Sequence, residues 1–261
     1  MKMENEALLK QVRENPMLLK EIENPSEELI KTAVRRNGIV VRFVKNPSYE
    51  IKKEAIKSNP LSIEYIDYVE EDLQVLAVKI LWNSLRLIKN PSDRVKEEAV
   101  KSKGWAIQYI QSPSEKLCLI AVKNDYDAIK YIKNPSREVQ IEAIKKYWGA
   151  IKFIDDPTLE IKRLAIKSNE ESINFISNYD LDDLEIFIAD NIKVVKYLCG
   201  SIEPETVVKV LIKKLDDDDF TEEYIKDFLN LEVLEMDKIK FIWECGNKRA
   251  RKILVDYMLS K

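Results

Sequence analysis

The chain has 261 residues, 45% of them hydrophobic and 34% charged, with a net charge of −3. That length and core fraction suit one large or two ordinary domains, and the near-neutral balance does not by itself demand a nucleic-acid partner. Five glycines are too few for a turn-rich all-β fold, and the absence of histidine removes Ser-His and Cys-His nucleophile pairs and His-ligated zinc.

The opening segment MKMENEALLK carries acids and no apolar run, so no secretory leader is expected. No stretch approaches the ~18 apolar residues of a membrane span. Cys118, Cys199 and Cys245 are scattered, without CxxC spacing, which reads as reduced thiols in a cytoplasmic protein. No GxGxxG and no GxxxxGK[ST] occurs.

From there the chain repeats itself. Pro25, Pro47, Pro91, Pro113, Pro135 and Pro157 are spaced by 22 or 44 residues, and VEEDLQVLAVK from Val69 fills the gap without a proline. Degenerate units at 3–24 and 179–200 extend the count to nine units of 22 covering residues 3–200. Within a unit, Asn-Pro-Ser precedes an apolar-periodic run, as in NPSREVQIEAIK. The Asn (Asn24, Asn46, Asn90, Asn134) is expected to cap a helix and the proline to open it. Acids follow in the first turn (Glu27, Glu28, Glu50, Glu138, Glu160), where the helix dipole favours them.

Apolar residues then fall at helical spacing, for instance Val139, Ala143 and Ile144. Alanine recurs at one position as Ala33, Ala55, Ala77, Ala99, Ala121, Ala143 and Ala165, which lets neighbouring helices approach closely. A break near Gly38, Pro60, Gly104 or Gly149 leads to a second short helical turn. It carries Ile151, Phe153 and Ile154, matched by Ile107, Tyr109, Ile110 and by Ile173, Phe175, Ile176, and these aromatics are expected in the core.

One such unit cannot bury its apolar face alone, so stacked units are expected: an all-α, right-handed α-solenoid of short two-helix repeats. DPTLEIKRLAIKSN (156–169), with its Asp-Pro, Glu-Ile-Lys and closing Asn, resembles the leucine-rich repeat variant and, more loosely, HEAT-like repeats. The departure is a unit of 22 residues rather than a slightly longer one, so the second helix is expected to be clipped or 3₁₀-like. The NPSxEV…AIK runs are also similar to those of uncharacterised repeat proteins of bacteria and their phages. That resemblance implies an inhibitor of a host defence or regulatory protein.

Residues 201–261 break the period. PETVVKVLIKKL, TEEYIKDFLN, DKIKFIWEC and NKRARKILVDYML read as four helices that cap the stack. Asp216–Asp219 reads as a polar loop whose last Asp caps a helix beginning at Phe220, with Glu222 completing a capping box; calcium loops need spaced ligands and a glycine. No metal or other cofactor is implied.

For function, surface columns carry the signal. One is basic: Arg35, Lys57, Lys79, Lys101, Lys123, Lys145 and Lys167, in the last turn of the first helix, where a cation also complements the dipole. Trp82, Trp105, Tyr126 and Trp148 follow Lys79, Lys101, Lys123 and Lys145 by three or four residues, in a turn that does not need large rings. These eight residues form the candidate binding ridge, either as exposed anchors or as a cover on the core edge. Residues 25–168 carry a net +6 and residues 169–261 a net −8, a division that favours a protein partner or docking between copies. The leading expectation is a non-enzymatic protein-binding scaffold. The alternatives are a nucleic-acid-binding solenoid using the Lys/aromatic ridge, and an enzyme of the HEAT-like DNA glycosylase type, for which no carboxylate pair is singled out by spacing.

Overall fold

The computed structural model describes residues 2–198, 200 and 202–260; Cys199 and Ser201, at the end of the repeats, lie outside the described residues. Among these residues every regular element is helical. The chain divides into two compact units, residues 1–139 and 140–261.

In the first unit, α-helices alternate with 3₁₀-helices: α1 (Lys2–Glu14), η1 (Pro16–Glu21), α2 (Glu27–Arg36), η2 (Gly38–Phe43), α3 (Tyr49–Ser58), η3 (Pro60–Tyr65), α4 (Glu71–Ile80), η4 (Trp82–Leu87), α5 (Asp93–Ser102), η5 (Gly104–Tyr109), α6 (Glu115–Asn124) and η6 (Tyr126–Tyr131). α7 (Arg137–Lys146) contains the division between the units. The second unit continues with η7 (Trp148–Phe153), α8 (Leu159–Ser168), η8 (Glu170–Phe175), α9 (Leu181–Asp190) and η9 (Ile192–Tyr197). Four helices follow: α10 (Pro204–Asp216), α11 (Glu222–Leu229), α12 (Lys238–Cys245) and α13 (Lys248–Leu259).

Within the first unit each α-helix packs on the next, and each 3₁₀-helix on the next. Within the second, α8 packs on α9 and η8 on η9; α10 then covers α9 while α11 covers η9. This is the sequential packing of an α-solenoid with a helical cap. The second element of each repeat is a six-residue 3₁₀-helix throughout. A 22-residue unit with a ten-residue α-helix leaves no length for a second α-helix of useful stability.

The helix start differs from the sequence expectation in one respect. Serine, not asparagine, is the N-cap: the hydroxyls of Ser26, Ser48, Ser92 and Ser114 accept from the N–H groups of Leu29, Ile51, Val95 and Leu117 at 3.3–3.4 Å. The asparagine two residues earlier turns the chain instead. Asn24, Asn46, Asn90 and Asn134 have φ of 49–51°. Asparagine tolerates this left-handed conformation better than other L-residues. The proline therefore stands between the turn residue and the cap and not at the first helical position. In the repeat that lacks the motif, Glu70 is the N-cap and makes no side-chain capping bond. The capping serines also join successive repeats, because Ser48, Ser92 and Ser136 donate to Glu27, Glu71 and Glu115 of the repeat before at 3.2, 2.5 and 2.6 Å.

The alanine column from Ala33 to Ala165 is fully buried. In α5, which packs on α4 and α6, Ala99 is completely buried. Ala99→Leu is expected to destabilise by about 1–3 kcal/mol, because added methylenes wedge neighbouring repeats apart. Urea denaturation checks this; an unchanged midpoint would mean that the column does not face a neighbour.

The 3₁₀-helices have three residues per turn, so residues i and i+3 share a face. In η5, Gly104, Ile107 and the following Ile110 are buried together, and Ala106 is buried as well. The sixth residue is left at the edge, and this corrects a second expectation. Tyr109 and Phe175 are 36% and 47% exposed and Phe153 is half-buried, while the isoleucines beside them are core. The acidic loop is corrected too: α11 begins at Glu222 with Thr221 as its cap, accepting from the Tyr224 N–H at 3.1 Å, and Asp219 pairs with Lys214 at 3.0 Å. Among the described residues no helix is long and apolar enough to cross a membrane.

Candidate docking faces

The expected ridge is built from two columns with different surroundings. In the first unit its lysines are exposed but ion-paired. Arg35 meets Glu54 at 2.5 Å and Lys79 meets Glu98 at 2.8 Å, each across one repeat boundary. Lys57 reaches Glu54 at 3.6 Å. Lys101 contacts Glu97 at 2.8 Å and Glu98 at 3.4 Å. Lys101 and Lys116 together hold the Glu97 carboxyl down at about 2. Lys123 and Tyr126 are also engaged with partners. In the second unit Lys145 lies 3.5 Å from Glu142 and Lys167 3.2 Å from Asp190. Carboxylates thus offset much of the charge of this column.

The rings of the ridge are half-buried rather than exposed. Trp82 opens η4 and stacks on Tyr109 of the next repeat, centroids 6.0 Å apart at 22°. Trp105 is the second residue of η5; its Nε1–H donates to Asp127 at 2.7 Å, and Lys103 and Lys130 lie 4.8 and 4.6 Å from its centroid. In the second unit Trp148 sits between Tyr147 and Phe175, at 5.2 and 6.1 Å. Trp82 and Trp148 therefore support rings that belong to another column.

That other column is the last residue of each 3₁₀-helix from η2 onward. In the first unit it holds Phe43, Tyr65, Tyr109 and Tyr131, with Leu87 between them; in the second, Phe153, Phe175 and Tyr197. Tyr65, Tyr109, Phe175 and Tyr197 are exposed. Phe43 and Tyr131 are shielded by their own neighbours: the Arg42 guanidinium lies 4.8 Å above Phe43 and the Lys130 ammonium 4.9 Å above Tyr131. The 22-residue recurrence of these rings was visible in the sequence. Reading them as core missed that a 3₁₀-helix leaves its last residue at the rim.

A charged cleft in the second unit is the other concavity of note. It encloses about 750 Å³ between α8, α9, η9, α11 and α13. Its cations are all engaged: Arg163 and Lys167 on Asp190, Lys193 between Glu170 and Asp227, Lys214 on Asp219, and Arg249 on Asp218. Tyr224 is buried beside them, donates to the Ile188 carbonyl at 3.0 Å, and is pushed up by burial. Among these contacts Lys193–Asp227 and the Tyr224–Ile188 hydrogen bond join the last repeat to the cap. Cys118 and Cys245 are free thiols, and burial pushes Cys118 up, away from the thiolate that reacts. Among the described residues no cluster of three or more Cys, Asp or Glu side chains is arranged to hold a metal ion. No protein-family model, curated protein or solved structure matches the chain.

Proposed function

We propose that the chain is a non-enzymatic scaffold that binds another protein, and that its repeats are of the leucine-rich-variant or HEAT-like type. One observation carries this reading: large rings stand exposed at one fixed repeat position, Tyr65 and Tyr109 in the first unit and Phe175 and Tyr197 in the second. Tyrosine and tryptophan dominate interface energies because they bury much area at small entropic cost. The tryptophans beneath them hold two of these rings in place, which lowers the ordering cost on binding. The bacterial and phage likeness of the repeats favours a host regulatory protein as the partner.

The test is affinity capture from a host lysate, with nuclease treatment and washes at low and high salt, compared between the parent chain and Tyr65→Ala/Tyr109→Ala. A protein retained after nuclease by the parent, and reduced at least fivefold on the variant, is the expected result. The variant should melt close to the parent, since exposed rings contribute about 1 kcal/mol or less each to stability. Recovery of oligonucleotide in place of protein would overturn the reading.

A further inference from the structure

The exposed edge of the first unit carries a charge pattern with twice the period of the repeat. The fifth residue of each 3₁₀-helix and the residue two positions after the helix lie beside the ring column. In η1 these positions hold Lys20 and Glu23, outside the alternation; from η2 to η6 they are Arg42 and Lys45, Glu64 and Asp67, Arg86 and Lys89, Gln108 and Gln111, then Lys130 and Lys133. All ten from η2 to η6 are exposed.

The sequence order is thus two cations, two acids, two cations, two amides, two cations. Lys130 is tied to Asp127 at 3.1 Å. Arg42, Lys45, Arg86, Lys89 and Lys133 have no carboxylate within ion-pair distance among the described residues. This is the opposite of the lysines on the α-helices, most of which hold a carboxylate. The exposed rings fall in the alternate repeats: Tyr65 beside the acids and Tyr109 beside the amides.

We infer that this edge of the first unit, residues 38–134, is a charge-coded docking face for an acidic segment of a partner protein; the inference rests on the scaffold reading above. Neighbouring repeats lie roughly 9 Å apart, so cation pairs recur about every 20 Å. An extended polypeptide covers that distance in about six residues. A partner segment can place carboxylates opposite Arg42 and Arg86 and a cation opposite Glu64 and Asp67. A single nucleic-acid strand cannot, because its phosphates follow one another every few Å and would cross the two acids. Like charges brought together in this way are rejected, so the pattern selects as well as attracts.

The test uses the full chain and labelled 20-residue peptides followed by fluorescence anisotropy. One peptide carries Glu pairs six residues apart with a lysine midway; a permuted peptide has the same composition with its Glu residues in one block. The patterned peptide is expected to bind at least tenfold tighter than the permuted one. Arg42→Glu/Arg86→Glu should lose at least tenfold in affinity, and Lys57→Glu/Lys116→Glu less than threefold. Circular dichroism checks that both variants keep their helices, and Arg42→Gln/Arg86→Gln replaces the first if it does not. Equal affinity for the two peptides, equal losses in the two variants, or no peptide binding overturns the docking face alone. Tighter binding of a 20-nucleotide oligo-dT at the same salt overturns the protein-binding reading with it.

Discussion

Phe187→Ala is expected to cost about 3–5 kcal/mol, the range for emptying a fully buried aromatic site. Phe187 occupies in α9 the position that alanine holds in the seven repeats before it, and it is completely buried. Its ring meets that of Tyr179 edge-on at 6.0 Å. The physical reason for the exception is the neighbour. Ala99 must let α5 approach other repeat helices, whereas α9 receives α10, which belongs to the cap. A large side chain there fills space that a repeat helix would otherwise close. Truncation leaves a cavity beside Tyr179 that the packed neighbours of α9 can close only by moving. Repeat arrays lose their weakest interface first. Trp243, half-exposed in α12, should therefore report unfolding of the cap at a lower urea concentration than the helical signal of the chain. A single transition within about 1 kcal/mol of the parent would mean that the cap settles into the hole.

Much of the fold was legible because the repeat states its rules many times over. Proline spacing, the alanine column and apolar residues at helical spacing located every α-helix, and the short period pointed to 3₁₀ geometry for the second element. Two local choices were not legible. Asn and Ser both make good N-caps, and Asn-Pro-Ser offers both; the decision depends on which residue must take a positive φ to turn out of the preceding 3₁₀-helix. That is a property of the connection, and it falls to Asn24, Asn46, Asn90 and Asn134. The second concerns the rings. Tyr109 and Phe175 sit between buried isoleucines, and a reading based on the 3.6-residue period places all of them inside. With three residues per turn Tyr109 lies a third of a turn from both Ile107 and Ile110, on the face of the small, buried Ala106, and as the last residue of the helix its large ring is left 36% exposed. The basic column was visible, but its neutralisation was not. Arg35 with Glu54 and Lys79 with Glu98 are contacts 19 residues apart, a separation that has meaning only once the repeats are stacked. The charge alternation at Arg42, Glu64 and Arg86 was equally present, hidden by reading every unit as equivalent.

Asp190→Ala is expected to destabilise the second unit by about 2 kcal/mol. Asp190 stands where Glu14, Arg36, Ser58, Ile80, Ser102, Asn124, Lys146 and Ser168 stand in the other repeats. Its side chain is 5% exposed and accepts from the Arg163 Nε–H and Nη2–H at 2.6 and 2.9 Å, with Lys167 at 3.2 Å. A bidentate guanidinium–carboxylate pair is among the stronger polar contacts. Breaking a wholly buried pair costs about 3–5 kcal/mol. Here both cations are about half exposed and regain water when the carboxylate is lost, so the expected figure is smaller. Asp190→Asn should cost nearly as much as Asp190→Ala, because the amide removes the charge and can turn N–H donors toward the guanidinium. Arg163→Ala leaves the buried carboxylate with Lys167 alone and should be no milder. A double-mutant cycle of Asp190→Ala with Arg163→Ala should give a coupling of about 1–2 kcal/mol. The loss should also shrink only slightly at 0.5 M salt, since ions reach a carboxylate buried at the base of the cleft poorly. Strictly additive single costs, or an Asp190→Asn protein that melts with the parent, would mean that packing of α9 against its neighbours holds this junction and the ion pair only decorates it.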